Sequence, residues 1–145
     1  MRSTTLRVPL FLLTLLAAAP VAAQSVITAK LDDPAAVYLE AQAFGAAADG
    51  VADDSAALQA AIDKAAATPN GGVVFMGPGR YRIARTIYLW RSVRLFGYGP
   101  TRPVIVLGPN TPGYQKGIGL MVMFTNAGPP GRTSMVVPVL RPLGL

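Results

Sequence analysis

Between positions 55 and 67, Ala57, Leu58, Ala61, Ile62 and Ala65 recur at intervals of three and four, the spacing of one buried face of an α-helix. Asp53 or Asp54 stands where that helix begins. A short carboxylate there can accept a free backbone N–H and sits well at the positive end of the helix dipole. The pattern predicts a helix running to about Ala67, ended by Thr68-Pro69-Asn70-Gly71-Gly72. The period then drops from helical to strand-like. Val73-Val74-Phe75-Met76 reads as a short buried strand, Gly77-Pro78-Gly79 as a tight turn, and Arg80-Tyr81-Arg82-Ile83 as an alternating strand. That alternation puts Arg80 and Arg82 on one face and Tyr81 and Ile83 on the other. Further short strands are expected at Thr86–Leu89, Ser92–Phe96, Val104–Leu107 and Ile118–Phe124, with turns at 97–100 and 108–113. Short strands at near-regular intervals point to a sheet or solenoid and away from an alternating α/β fold.

The ends of the chain read differently. Arg2 and Arg7 precede an apolar run from Val8 to Ala19, and Pro20 then leads into the small residues Val21-Ala22-Ala23. This is the pattern of an export signal over residues 1–23, cleaved near Ala23, with a secreted or periplasmic product. The run is too short for the ~20 apolar residues of a membrane span, so no stable membrane insertion is expected. Residues 24–43 read as a leader of weak periodicity. Phe44 to Ser55, rich in glycine and aspartate, reads as a loop. From Gly97 onward glycine and proline dominate, and residues 126–145 form a proline-rich tail without clear period, the mark of a frameshifted or truncated end.

Composition narrows the chemistry. The 145 residues include no cysteine and no histidine, which excludes disulfides, thiolate zinc sites and imidazole catalysis. Apolar residues at 52% and charged residues at 14% argue against a disordered chain. Charge is sharply divided. All seven acids lie at or before Asp63, whereas nine of the 13 bases lie from Arg80 onward. The arginines, chiefly Arg80, Arg82 and Arg94, are candidate contacts for an acidic glycan, or else the solvated outer positions of strands whose inner positions are Tyr81, Ile83, Ile87 and Leu95. A basic surface also suits nucleic acid, but export removes that partner. Trp90 and Tyr98 are candidates for sugar stacking or for packing. The spacing of Asp49, Asp53 and Asp54 is not that of a calcium loop, so turn formation and capping are their expected work, and no metal is expected.

Residues 44–62 resemble the opening of the pectate-lyase superfamily domain of rhamnogalacturonase/epimerase-like proteins. The matching residues are Phe44-Gly45-Ala46, Asp49-Gly50, Asp53-Asp54-Ser55, Ala57-Leu58-Gln59 and Ala61-Ile62. Gly71-Gly72-Val73-Val74-Phe75 and Pro78-Gly79-Arg80-Tyr81 resemble the family's first rung; Met76-Gly77 departs from it slightly. Thr86–Leu89 and Val93–Gly99 look like the next strands. Arg102-Pro103-Val104 with Asn110–Gln115 is similar to the branch near glycoside hydrolase family 55. The resemblance covers about residues 38–125. It implies an all-β solenoid: a right-handed, single-stranded parallel β-helix of the pectin-lyase-like class, with an N-terminal capping α-helix and first rungs over 44–125. Gly45, Asp49, Gly50, Asp53, Asp54, Gly72, Pro78 and Gly79 are then structural motif residues. It also implies a polysaccharide partner, an acidic glycan or a β-glucan, with no cofactor.

In that family the catalytic carboxylates sit on rungs well beyond the cap, and a glycosidase needs two. This chain has none after Asp63. The expectation is an N-terminal part of a polysaccharide-degrading protein, truncated before its active site, with no catalytic residue of its own; the alternative is a non-catalytic glycan-binding or adhesive module. A solenoid needs about three repeats and a cap at each end. An open end therefore predicts poor folding or self-association.

Overall fold

The computed structural model describes residues 25–130, so the expected export signal and most of the proline-rich tail lie outside it. Eight short strands and two helices follow in order: β1 (Val37–Leu39), α1 (Ala41–Phe44), β2 (Asp49–Asp53), α2 (Ser55–Ala66), β3 (Val73–Met76), β4 (Arg80–Ile83), β5 (Ile87–Leu89), β6 (Arg94–Gly97), β7 (Val104–Leu107) and β8 (Val122–Phe124). Among the described residues every strand pairing is parallel. The sheets run β1-β3-β6, β2-β4-β7 and β5-β8. The chain thus visits three walls in the same rotation twice, as β3-β4-β5 and then β6-β7-β8. On the preceding pass β1 and β2 take the first two walls, and α2 follows them where the third strand would fall. These parallel sheets fit the expected β-helix, with strands of only three to five residues.

Period-two burial builds the interior. Val37 and Leu39, Val74 and Met76, Tyr81 and Ile83, and Ile87 and Leu89 point inward. On α2 the predicted stripe is the buried face, and Leu58, Ala61, Ile62 and Ala65 are wholly inaccessible. The helix packs on the interior side chains of the first and second passes, so it closes one end of the stack with apolar surface. Registers of Val37 with Val74 with Leu95, and of Tyr81 with Ile105, stack like side chains across the passes.

Three sequence expectations are corrected. The leader of weak periodicity, 24–43, holds β1 and most of α1; Val37-Tyr38-Leu39 alternates over too few residues to register as a strand. The segment 44–55 is not all loop, because β2 occupies Asp49–Asp53. Its residues are mostly exposed and its pairing with β4 is irregular between Asp49 and Asp53, so backbone bonds rather than an apolar alternation define it. Of the two capping candidates, Asp54 is the cap residue but its side chain makes no capping bond to α2, whereas Asp53 Oδ1 accepts the Ser55 N–H that opens the helix.

Candidate functional site

Asp54 is 1% exposed, and its carboxylate turns back onto the preceding segment. It accepts the backbone N–H of Ala47 at 2.7 Å and that of Ala48 at 3.1 Å. Both carboxylate oxygens therefore hold the 46–48 corner against the start of α2. Asp53 Oδ1 accepts the Ser55 hydroxyl at 2.5 Å and the Ser55 N–H at 3.0 Å, while Ser55 Oγ accepts the Ala84 N–H at 2.8 Å. The Ser55 hydroxyl holds the Asp53 carboxyl below the ordinary aspartate range, helped by Arg82 and Arg85 and opposed by desolvation. Asp49 Oδ1 accepts Val51 N–H at 2.7 Å and Ala52 N–H at 2.9 Å, and those bonds lower its pKa as well. Gly45 ends α1 in the left-handed conformation, its N–H donated to the Ala41 carbonyl. Among the described residues no three acidic side chains converge where a metal ion could sit.

The arginines divide between two walls. Arg80 and Arg82 project outward from β4, in register with Asp49 and Asp53 of β2. That wall therefore carries bases beside acids rather than a uniform basic strip. Arg80 is exposed and lies over Gly50, where an added Cβ would come within 3.2 Å of its own Cβ. Arg82 is half-buried; its Nη1 donates to the Val51 carbonyl at 3.1 Å, and its guanidinium lies against Gly108, where an added Cβ would come within 2.7 Å of Nε. Arg94 opens β6 on another wall and is exposed. The structure does not bring Arg94 together with Arg80 and Arg82. Pro78 and Gly79 turn the chain between those two walls, and Gly79 (φ 147°) lies so close to Ala48 of the pass below that a Cβ would meet its carbonyl at 2.7 Å.

Arg94 shares its outer face with an aromatic ladder that the sequence reading missed. Tyr38, Phe75 and Phe96 fall in register on β1, β3 and β6. Tyr38 stacks on Phe75 at 5.3 Å between centroids and Phe75 on Phe96 at 6.0 Å, while Tyr98 meets Tyr38 and Phe75 edge-on. The signal lay in the strand parity, each aromatic being second or third in its strand with an inward residue beside it. Residues 25–40 frame this ladder. Ile27 bridges Tyr98 in parallel, and the Gly99 N–H donates to the Ile27 carbonyl at 2.8 Å. Ser25 Oγ donates to the Gly97 carbonyl at 2.9 Å. Lys30 lies 4.5 Å over the Tyr38 ring and pairs with Glu40 at 2.6 Å, and the Tyr38 hydroxyl donates to the Leu31 carbonyl. The segment from Ser25 thus pairs with the outer edge of β6. On the third wall Tyr88 and Trp90 stack at 5.7 Å, and Trp90 Nε1 donates to Asp63 Oδ1 at 2.5 Å.

Parallel strands in three short sheets beside a helical cap fit a pectate-lyase-like class of domain. The chain belongs to the family of rhamnogalacturonase A/epimerase, pectate lyase-like domains, whose profile matches residues 38–134. It is 44% identical over 71 residues to the mannuronan C5-epimerase AlgE6 of Azotobacter vinelandii, covering 44% of this chain and 8% of that one. It is 54% identical over 71 residues to AlgE4 of the same organism, covering 44% and 13%. A glucan 1,3-beta-glucosidase of Cochliobolus carbonum is 38% identical over 60 residues, covering 41% and 7%. The matched segment is thus a small part of each relative. No solved structure matches the chain. Among the described residues no helix is long and apolar enough to cross a membrane.

Proposed function

We propose that this chain forms the capping end and first turns of a right-handed parallel β-helix in a secreted protein that acts on polysaccharide, and that residues 25–130 hold glycan rather than transform it. What supports this reading is the employment of the acids. Each aspartate from Asp49 to Asp63 is engaged in hydrogen bonds that hold turns, α2 or Trp90. A carboxylate so engaged is a poor general acid or base, and glycoside hydrolysis needs two free to act across one bond. The relatives' names supply the substrate class, a uronan or a β-1,3-glucan. Export rests on the pattern of residues 1–23. The outer strands β7 and β8, with Phe124 78% exposed, favour self-association through that end of the stack; a cooperatively unfolding monomer in sedimentation would overturn that part.

The alternative reading, an adhesive module for acidic glycan, draws on the exposed arms of Arg80 and Arg94. The experiment is to incubate the purified chain with polygalacturonate, mannuronan and β-1,3-glucan, following reducing ends, unsaturated products and C5 proton exchange. Binding is measured in parallel at low and high salt. Binding without turnover is expected, and turnover by the chain alone would contradict the reading. Binding that collapses with salt favours the adhesive module.

A further inference from the structure

We propose that the cavity at the corner between β5 and β6 is a binding subsite for one uronate pyranose of a polysaccharide chain. It has a volume of about 390 Å³, inside the ~300–1,000 Å³ of small-ligand sites. One wall is the turn after α2, the floor is the turn from Trp90 to Ser92, and the far wall is the segment from Asn126 to Pro129. The inference rests on the polysaccharide reading above but concerns a different surface from the β4 arginines.

The lining supplies the three contacts that such a sugar requires. Trp90 offers an indole face for the C–H side of the ring. Arg91, exposed on the floor, offers a guanidinium whose fork matches a carboxylate. Asn70, Asn126 and Ser92 offer donors and acceptors for hydroxyls. The site is also held in place beforehand. Trp90 is held at its edge by the bond to Asp63 and on one face by its stack on Tyr88. The Arg91 N–H donates to the Ala127 carbonyl at 3.3 Å, which ties floor to far wall. Of the four non-glycine residues with positive φ among the described residues, Asn70 (66°) and Ser92 (64°) both line this cavity. Such strained positions collect at ligand sites. Gly71 lies between the walls, where a Cβ would stand 2.0 Å from the Ser92 carbonyl oxygen, so floor and wall are in direct backbone contact there.

Charge favours the acidic sugar. The C-terminal end of α2 points its negative pole this way. However, the carbonyls of Asp63, Lys64 and Ala65 are taken by the N–H groups of Ala67 and Thr68, and that of Thr68 by Gly71. The Asp63 carboxylate is engaged by Trp90 and Gln59. Among the described residues Arg91 is left as the cationic side chain lining the cavity.

The chain holds a single tryptophan, so its fluorescence reports this site alone. The full chain is titrated with trigalacturonate and with β-1,3-linked glucotriose, following fluorescence and calorimetric heat together. A saturable fluorescence change with trigalacturonate is expected, at least tenfold weaker with glucotriose. Arg91→Ala should weaken it at least tenfold with its melting curve intact, Arg91→Lys about threefold, and Lys116→Ala, an exposed position outside the cavity lining, not at all. Heat of binding with an unmoved tryptophan signal, or undiminished binding by Arg91→Ala, overturns the cavity and leaves the polysaccharide reading standing. Absence of heat and fluorescence change with either sugar overturns both.

Discussion

The side-chain amide of Gln59 on α2 pairs with the backbone of Tyr88 on β5 as a neighbouring strand would. The Tyr88 N–H donates to Gln59 Oε1 at 2.9 Å, and Gln59 Nε2 donates to the Tyr88 carbonyl at 3.1 Å. The same Nε2 reaches Asp63 Oδ1 at 2.9 Å. One side chain thus continues the third wall onto the helix that stands in for its missing strand. Gln59→Ala is expected to cost about 1–2 kcal/mol, a fall of roughly 5 °C in melting temperature. Gln59→Glu should cost more, since a carboxylate cannot donate to Tyr88 and faces Asp63 one turn on. Unchanged thermal melts for both variants would refute the pairing.

Asp54 carries the corner before α2 through two charge-assisted bonds. Asp54→Ala leaves Ala47 and Ala48 N–H without their acceptor, and a loss of about 3 kcal/mol is expected in urea titrations. Asp54→Asn keeps one acceptor oxygen, so roughly half that loss is expected.

Stability should be level across neutral pH and fall at both ends. Asp53 and Asp49 titrate lower in the folded chain than unfolded, so their contribution is present above the unfolded aspartate pKa. It is lost as the pH falls through the lower folded values, below about pH 4. Tyr81, 2% exposed, is pushed up by burial, with Tyr98 and Asp54 adding to it, while its hydroxyl donates to the Gly77 carbonyl. Above about pH 10 the unfolded phenol ionises first, so stability declines there. Denaturant midpoints between pH 3 and 11 check both limbs. Asp53→Asn should flatten the acid limb and Tyr81→Phe the alkaline one.

Two neighbouring glycines should tolerate no side chain. A Cβ at Gly71 meets the Ser92 carbonyl, and one at Gly72 would lie 2.6 Å from the Ala65 carbonyl oxygen. Either alanine substitution is expected to cost at least about 3 kcal/mol and to lower soluble yield. Gly113→Ala is the comparison. It has φ of 86° but open space around it, so only about 1 kcal/mol of backbone strain is expected.

The arginines of β4 should separate into two kinds. Arg82→Ala removes the bond to Val51 and the packing over Gly108, and about 1 kcal/mol of stability is expected to go with them. Arg80→Ala should leave the melting temperature nearly unchanged while weakening salt-sensitive binding to polygalacturonate. If Arg82→Ala melts as the parent does, its packing is not structural.

The interior of this fold was legible because burial imposes period. The stripe on α2 and the alternation in Arg80-Tyr81-Arg82-Ile83 translate directly into the buried side chains of those elements. Strand β2 was not legible, since its neighbours are held by backbone bonds and its side chains face water. The aromatic ladder was missed because Tyr38, Phe75 and Phe96 lie far apart in sequence and meet only through register. The corner cavity was hidden for the same reason, its lining drawn from three separate passes of the chain. Asp54 stood at the predicted place, yet its side chain serves the residues before it rather than the helix after it.

The segment at Ser25 meets Gly97 across 72 residues, and this separation sets an order of events. Closing so long a loop costs more entropy than closing one pass upon the next, so the stacking of β3 on β1 and of β4 on β2 gains its contacts first. The N-terminal segment, which gains its bonds only where β6 already lies, is expected to dock after the stack beneath it. It also holds the Gly99 N–H by a single carbonyl, that of Ile27. Hydrogen exchange at that amide therefore follows the coming and going of the segment rather than the unfolding of the stack beneath it.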